Sequence, residues 1–297
     1  MYPRPFHYHR ASSLIEAATM LAQLGNEAKL LAGGQSLIPL MKLRFANPLH
    51  LVDLNFVPGT SYIREEGGAV RFGALTRHAE IENSNISARI PLVHDCAAGI
   101  ADVQVRNRGT IGGSVAEADP SGDWATALLT QKTEVHCVSP RGERRMPLAD
   151  FITDAYSTVL EHDELVREIV VRLPEKGSGS AYIAFKRSAP VYPTASAAVQ
   201  LTMDGEVCKD VAIVLGCVGL VPMKATAAES ALWGRRVDDK AVTAAMEAVR
   251  AAADPQSDMR GSADYKRTLA AALVKRSIEV AVRRAHGERV EVSHIYA

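Results

Sequence analysis

Leu31-Ala32-Gly33-Gly34-Gln35-Ser36-Leu37 and Gly109-Thr110-Ile111-Gly112-Gly113-Ser114 are the two stretches on which the reading turns. In each, a short β-like segment runs into a glycine pair followed by a small hydroxyl residue. Residues without a Cβ let the backbone come close to a ligand, and successive N–H groups can then converge on an anion. Ser36, Thr110 and Ser114 add hydroxyl donors. Taken singly, a glycine pair is more often an ordinary turn. A pyrophosphate held between two such loops would need little net positive charge.

The composition agrees with that. The chain has 297 residues, 47% of them hydrophobic, with Lys+Arg and Asp+Glu both at 34 and a formal net charge of zero. This length supports one large or two ordinary domains and a core without disulfide staples. A neutral chain with few, scattered aromatic residues fits neither a nucleic-acid platform nor a binder of anionic membranes. No apolar run is long enough to span a bilayer, and Met1 to Arg10 lacks the apolar core of a signal peptide. The four cysteines, Cys96, Cys137, Cys208 and Cys217, are too dispersed for a disulfide framework or an iron–sulfur site. A reducing, cytoplasmic location is expected.

Working outward, Ser12 to Leu24 predicts an amphipathic helix, with Ser13 and Glu16 at capping-box spacing and Gly25 as its stop. Leu37 to Leu43 predicts a short helix, His50 to Leu54 a strand, and Tyr62 to Phe72 a hairpin turning at Gly67-Gly68. Asp102 to Asp123 reads as a long polar stretch. Pro174 to Ser180 is the clearest linker. Beyond it three strands are expected (Ala181 to Lys186, Ala195 to Met203, Val207 to Gly216), then helices at Ala225 to Trp233, Asp239 to Ala252 and Tyr265 to Arg284. In the last helix, Leu269, Leu273 and Ile278 form an apolar face better suited to core than to a partner surface. Elements interleave before the linker and segregate after it, which predicts α+β regions of different topology.

Several chemistries lack their motifs. There is no Gly-x-Gly-x-x-Gly, P-loop, Gly-x-Ser-x-Gly elbow or His-Glu-x-x-His zinc helix. His7 and His9 alternate along an extended N-terminus without an evident third ligand, so no metal site is expected. Cys96 suits packing better than nucleophilic chemistry.

Leu31 to Arg44 with His50-Leu51-Val52-Asp53-Leu54, and Gln104 to Ser114 continuing to Ala118-Asp119-Pro120 and Asp123, together resemble the two FAD-binding segments of the medium subunits of molybdenum hydroxylases. Carbon monoxide dehydrogenase and the N-heterocycle dehydrogenases are members of this family. The resemblance covers nearly the whole chain. It implies a vanillyl-alcohol-oxidase (PCMH)-type fold of two α+β subdomains, at about 1–57 and 58–176, followed by an α+β C-terminal domain of three strands plus helices at 181–290. Carried over, Ala32, Gly33, Gly34, Gln35, Ser36 and Leu37, with Thr110, Ile111, Gly112, Gly113 and Ser114, would hold FAD, the two glycine loops cradling its pyrophosphate. Asp123 matches the family's acidic residue on the cofactor; the other reading is an N-cap for the helix beginning at Trp124, and one residue can serve both roles. Lys186 matches a basic residue near the flavin, or is an exposed strand lysine. Tyr192 matches a tyrosine near the isoalloxazine. Here it stands in Pro190-Val191-Tyr192-Pro193-Thr194, without the Gly-Asp that precedes it in many relatives. Gln35 replaces a histidine of some relatives, and Asp102-Val103 an Asp-Pro of many.

The implied function is electron transfer: FAD here would take electrons from [2Fe-2S] clusters of a small partner subunit and pass them to NAD or a quinone. A large molybdenum subunit would oxidise the substrate, in a dimer of heterotrimers. No residue of this chain is assigned a catalytic or metal-ligating role. Two alternatives remain open at this stage, a self-contained flavin oxidoreductase and an interface subunit that has lost FAD. Valine at Gly33 or Gly113 is expected to abolish FAD retention by blocking the approach to the ligand while leaving most of the fold intact.

Overall fold

In a computed structural model, residues 2–292 and 295–296 are described, and the chain divides into two compact units. The first comprises Met1–Glu80, Val103–Ala118 and Thr133–Arg172; the second comprises Ile81–Asp102, Asp119–Lys132 and Leu173–Ala297.

In the first unit, His50–Asp53 is the central strand of a parallel three-stranded sheet, flanked by His7–Arg10 and Ala28–Leu31. The helix Leu14–Leu24 closes it, burying Ala17, Ala18 and Leu21. Ser13 Oγ accepts from Glu16 N at 3.0 Å, the cap that the sequence predicts, while the Glu16 carboxylate reaches back to Ser12 N at 2.6 Å, one residue before the cap. The unit's second sheet is antiparallel, in the order Ile63–Glu66, Ala69–Gly73, Leu165–Arg172, Thr133–Ser139, Gly142–Pro147. Its first hairpin turns at Gly67 and Gly68, as expected, with φ of 60° and 72°. Positive φ at both turn residues matches the twist of the flanking strands. Val52, Leu54, Val57, Leu75, Val138 and Leu165 are part of the core that packs against the helix.

The polar stretch 102–123 is more structured than its composition suggests. It contains the helices Val103–Arg108 and Ile111–Glu117, each too short to display an apolar period. Its end, Asp123, opens a further helix, Asp123–Leu128.

The second unit is built on three long antiparallel strands, Ser178–Lys186, Ala195–Asp204 and Val207–Gly216, the last two joined by a turn at Gly205-Glu206. Two-residue strands, Met223–Lys224 and Ile295–Tyr296, extend the sheet at its edges. The helices Thr226–Leu232, Asp239–Ala252 and Ala263–Ala285 follow. Leu273 and Ile278 are core residues and Leu269 packs against them, so the apolar face of the last helix is core.

The linker is shorter than the sequence suggests, because Ser178, Gly179 and Ser180 already belong to the first strand. Gly179 allows the last helix to lie directly on that strand: a Cβ there would sit 1.9 Å from the carbonyl oxygen of Ala281. Glycine, read as flexibility, here marks close packing. Among the described residues, no helix is long and apolar enough to cross a membrane.

Candidate cofactor-binding site

The two glycine motifs come together in the first unit. The strand Ala28–Leu31 leads into Ala32, and the chain turns through Gly33, Gly34, Gln35 and Ser36 into the helix Leu37–Lys42. Gly34 has φ +74°, a conformation that favours glycine. Gln35 is exposed and its Nε2 donates to Gly33 O at 3.3 Å. Ser36 precedes the helix without capping it through its side chain. Among the described residues, the N–H groups of Gly33, Gly34, Gln35, Ser36 and Leu37 have no hydrogen-bond partner. A row of unmatched N–H groups at the turn into a helix is a donor set for an anion.

The second motif is built differently. Thr110 caps the helix Ile111–Glu117, its Oγ1 accepting from Gly113 N at 3.2 Å. Ile111 N donates to Thr76 O at 3.1 Å, Gly112 N to Ala74 O at 3.0 Å, and Ser114 N to Thr110 O at 3.0 Å. These N–H groups therefore anchor the loop to the segment just after the strand ending at Gly73 and to its own first turn. Ser114 keeps its hydroxyl without a partner among the described residues, as does Ser36. His78 lies beneath this loop, its N donating to Gly109 O at 3.1 Å. Burial, with Arg77 and Arg106 nearby, pushes its imidazole pKa down to about 3.

The loops touch at Gly33. A Cβ there would stand 2.4 Å from Arg108 O and 2.8 Å from Gly109 Cα. From the sequence, Gly33 is expected to leave room for a ligand. In the structure, the missing Cβ leaves room for the other loop. A Cβ at Gly113 would meet the capping oxygen of Thr110 at 2.6 Å. Substitution at either position thus disturbs the loops themselves, and not only the approach to a ligand.

Asp123, Lys186 and Tyr192 belong to the second unit. Asp123 is 6% exposed and is the first residue of the helix Asp123–Leu128; Gly122 precedes it and no side chain caps the helix. Its carboxylate accepts from Tyr182 OH at 2.6 Å and lies 3.6 Å from Lys186 Nζ. Asp123 thus forms a buried ion pair and does not cap the helix at Trp124. Lys186, 1% exposed, also donates to Gly99 O. The alternative of an exposed strand lysine is therefore excluded.

Burial, reinforced by the Asp123 charge, pushes the Tyr182 hydroxyl and the Cys96 thiol well above their ordinary pKa values. Cys96 is fully buried, the setting of an inert packing thiol. Beside this group, Arg284 grips Asp95 with two hydrogen bonds, 2.6 and 3.0 Å. Tyr192 is 45% exposed, with the Arg260 guanidinium 5.9 Å from its ring centroid. Arg260 also donates to Ser121 Oγ at 3.1 Å, which ties Tyr192 to the segment leading into Asp123. Tyr182, Arg260 and the Asp95–Arg284 pair escape sequence reasoning, because each has its partner far along the chain.

Parallel pairing of His7 with His50 supplies a third imidazole to the N-terminal pair, stacked on His7 at 5.1 Å and 3.0 Å from His9. Among the described residues, no group of three His, Cys, Asp or Glu side chains could hold a metal ion.

Comparison with known proteins bears on both units. Residues 4–175 match the FAD binding domain in molybdopterin dehydrogenase, and residues 180–281 match the CO dehydrogenase flavoprotein C-terminal domain. The carbon monoxide dehydrogenase medium chain of Hydrogenophaga pseudoflava is 41% identical over 95% of this chain and 98% of its own length. Subunit alpha of the 6-hydroxypseudooxynicotine dehydrogenase complex of Paenarthrobacter nicotinovorans is 35% identical over 99% and 100%. A solved structure of carbon monoxide dehydrogenase from Hydrogenophaga pseudoflava, lacking the Mo-pyranopterin moiety of the molybdenum cofactor, aligns with a TM-score of 0.93. It is 42% identical and covers 96% of this chain and 99% of that one.

Proposed function

The chain belongs to the family of FAD-binding medium subunits of molybdenum hydroxylases, and we propose that it relays electrons from [2Fe-2S] clusters on a small partner subunit to an external acceptor, NAD or a quinone. It is an oxidoreductase subunit of a multi-subunit complex, and FAD is its cofactor. In our reading a large molybdenum subunit oxidises the substrate, and two heterotrimers pair. Substrate choice then rests with that large subunit. We place the assembly in the cytoplasm, in keeping with four cysteines that are all free thiols.

The observation that carries the cofactor assignment is the row of unmatched N–H groups at Gly33 to Leu37, packed against the second glycine loop. We assign the pyrophosphate to these N–H groups with Ala32, and to the second loop, Thr110 to Ser114, whose glycines position it and whose Ser114 hydroxyl is available. In the second unit we assign Asp123, Lys186 and Tyr192 to the remainder of the cofactor. The family matches also support a domain boundary between 176 and 181, with 1–176 as the FAD-binding domain and 181–290 as the C-terminal domain; the subdivision of the first near 57 is our own reading.

FAD supplies the redox chemistry, taking up and releasing electrons. The protein binds it, orients it and sets the field around it. No acid–base residue of this chain is required, and the buried Lys186–Asp123 pair contributes fixed, mutually compensated charge.

The test is mild purification from the native source, followed by a visible spectrum and metal and subunit analysis. A flavin band near ~450 nm, iron, molybdenum and two partners, one smaller and one larger, are the expected result. A yellow protein free of both metals and both partners would refute the relay, and a colourless one the cofactor assignment.

A further inference from the structure

Side chains outside both glycine motifs tie the two loops together. Asn55, two residues beyond the strand His50–Asp53, donates from Nδ2 to Ala32 O at 2.9 Å, the carbonyl just before Gly33. The same nitrogen donates to Asp53 Oδ1 at 2.6 Å. With both protons directed there, the amide oxygen faces away, and it accepts from Arg77 Nη2 at 2.5 Å. Arg77 Nη1 in turn donates to the carbonyl oxygen of Arg108. That oxygen is the atom a Cβ on Gly33 would strike. One chain of bonds, Ala32–Asn55–Arg77–Arg108, therefore spans the seam where the loops meet.

The chain is anchored at several points. Asp53, buried, accepts from Asn55 N at 2.8 Å and from Tyr8 OH at 2.6 Å, which fixes Asn55 from behind. Arg77 is held through its own N–H by the Glu80 carboxylate at 2.7 Å, and it pairs as an isolated bridge with Thr110. A planar guanidinium with two donors in a fixed fork can hold an amide oxygen and a backbone carbonyl at a set separation; an ammonium is a point charge on a flexible stem.

We propose that Asn55 and Arg77 are positioning residues which, acting as one bridge, fix the spacing of the two glycine loops and thereby the affinity for FAD. This inference rests on the cofactor assignment above. It adds residues that neither glycine motif contains and whose side chains reach the loops through carbonyl groups.

The experiment uses the full chain, stripped of flavin and titrated with FAD by fluorescence, alongside thermal melting of the flavin-free form. Asn55→Ala and Arg77→Gln are each expected to raise the FAD dissociation constant about 30-fold, because each leaves a loop carbonyl without its donor. The double variant should be no weaker than either single one, since breaking a bridge twice removes it once. Arg77→Lys should resemble Arg77→Gln, as charge without the fork cannot span both acceptors.

Three results would overturn the proposal. The first is wild-type affinity in either single variant, even with a lowered melting temperature, which leaves a merely structural role. The second is a double variant weakened multiplicatively, on the order of 900-fold, which makes the residues independent. The third is full affinity in Arg77→Lys, which reduces Arg77 to its charge. Failure of the wild-type chain to take up FAD would instead refute the cofactor assignment, and the wild-type titration tells the two apart.

Discussion

Gly33→Ala adds one methyl group at the tightest point of the loop seam. Its Cβ would lie 2.4 Å from Arg108 O and 2.8 Å from Gly109 Cα, both backbone atoms with no rotamer in which to retreat. Ordinary contact begins at 3.4 Å, so the loops must part by about 1 Å. Overpacking of this kind costs about 1–3 kcal/mol, and about 2–4 °C in melting temperature for each kcal/mol in a protein of this size. Displacement of a binding group by about 1 Å can cost a hundredfold. FAD affinity should therefore fall on the order of 10–100-fold, more than stability alone would suggest. Flavin fluorescence titration and thermal melting of the flavin-free chain measure the two effects. Gly67→Ala is the control: Gly67, unlike Gly33, has a positive φ of 60°, but a Cβ there meets nothing within 4 Å. It should lower stability by about 1–2 kcal/mol and leave FAD binding unchanged. A Gly33→Ala chain with wild-type affinity would refute the close approach of the loops and the geometry built on it.

Two further outcomes follow from the buried charges. His78 has its pKa depressed to about 3 from the ordinary imidazole value of 6.5, so between these limits the unfolded chain binds the proton and the folded chain does not. Its stabilising effect is fully present above about pH 6.5 and is lost as pH falls toward 3, with a slope of up to about 1.4 kcal/mol per pH unit. Urea unfolding from pH 7.5 to 4.5 should show that slope, and His78→Gln should flatten it. Lys186→Met removes one partner of the buried pair with Asp123, at a cost of about 3–5 kcal/mol. Adding Asp123→Asn should recover more than half of the lost melting temperature; additive losses would show that the charges are not coupled.

The sequence makes some of this legible and hides the rest for identifiable reasons. The hairpin at Gly67-Gly68, the cap at Ser13 and the three long strands of the second unit are local, set by turn residues and period. The two glycine motifs are equally visible, but what their glycines accommodate is not, because the neighbour of Gly33 is Arg108 and not a nearby residue. From the sequence Lys186 is either a basic residue near the flavin or an exposed strand lysine, and only the fold, by supplying Asp123 and Gly99 O, removes the second reading. Asn55 sits in a turn and Arg77 just before the short helix His78–Glu82, and both gain meaning only from the carbonyls they reach. Tyr192, lacking its usual Gly-Asp context, is placed beside Arg260 by the chain after the last long strand, a partner that no short motif encodes.

The order in which the strands leave the ribosome has its own consequence. The chain passes from one unit to the other after residues 80, 102, 118, 132 and 172. The middle strand of the antiparallel sheet, Leu165–Arg172, is the last of its five to be synthesised. A nascent chain that already carries both glycine loops still has Ala69–Gly73 and Thr133–Ser139 lacking the strand that joins them. Cofactor capture is thereby deferred until translation has passed residue 172. A ribosome stalled before that point should display a polypeptide that is readily cleaved by protease and takes up no flavin.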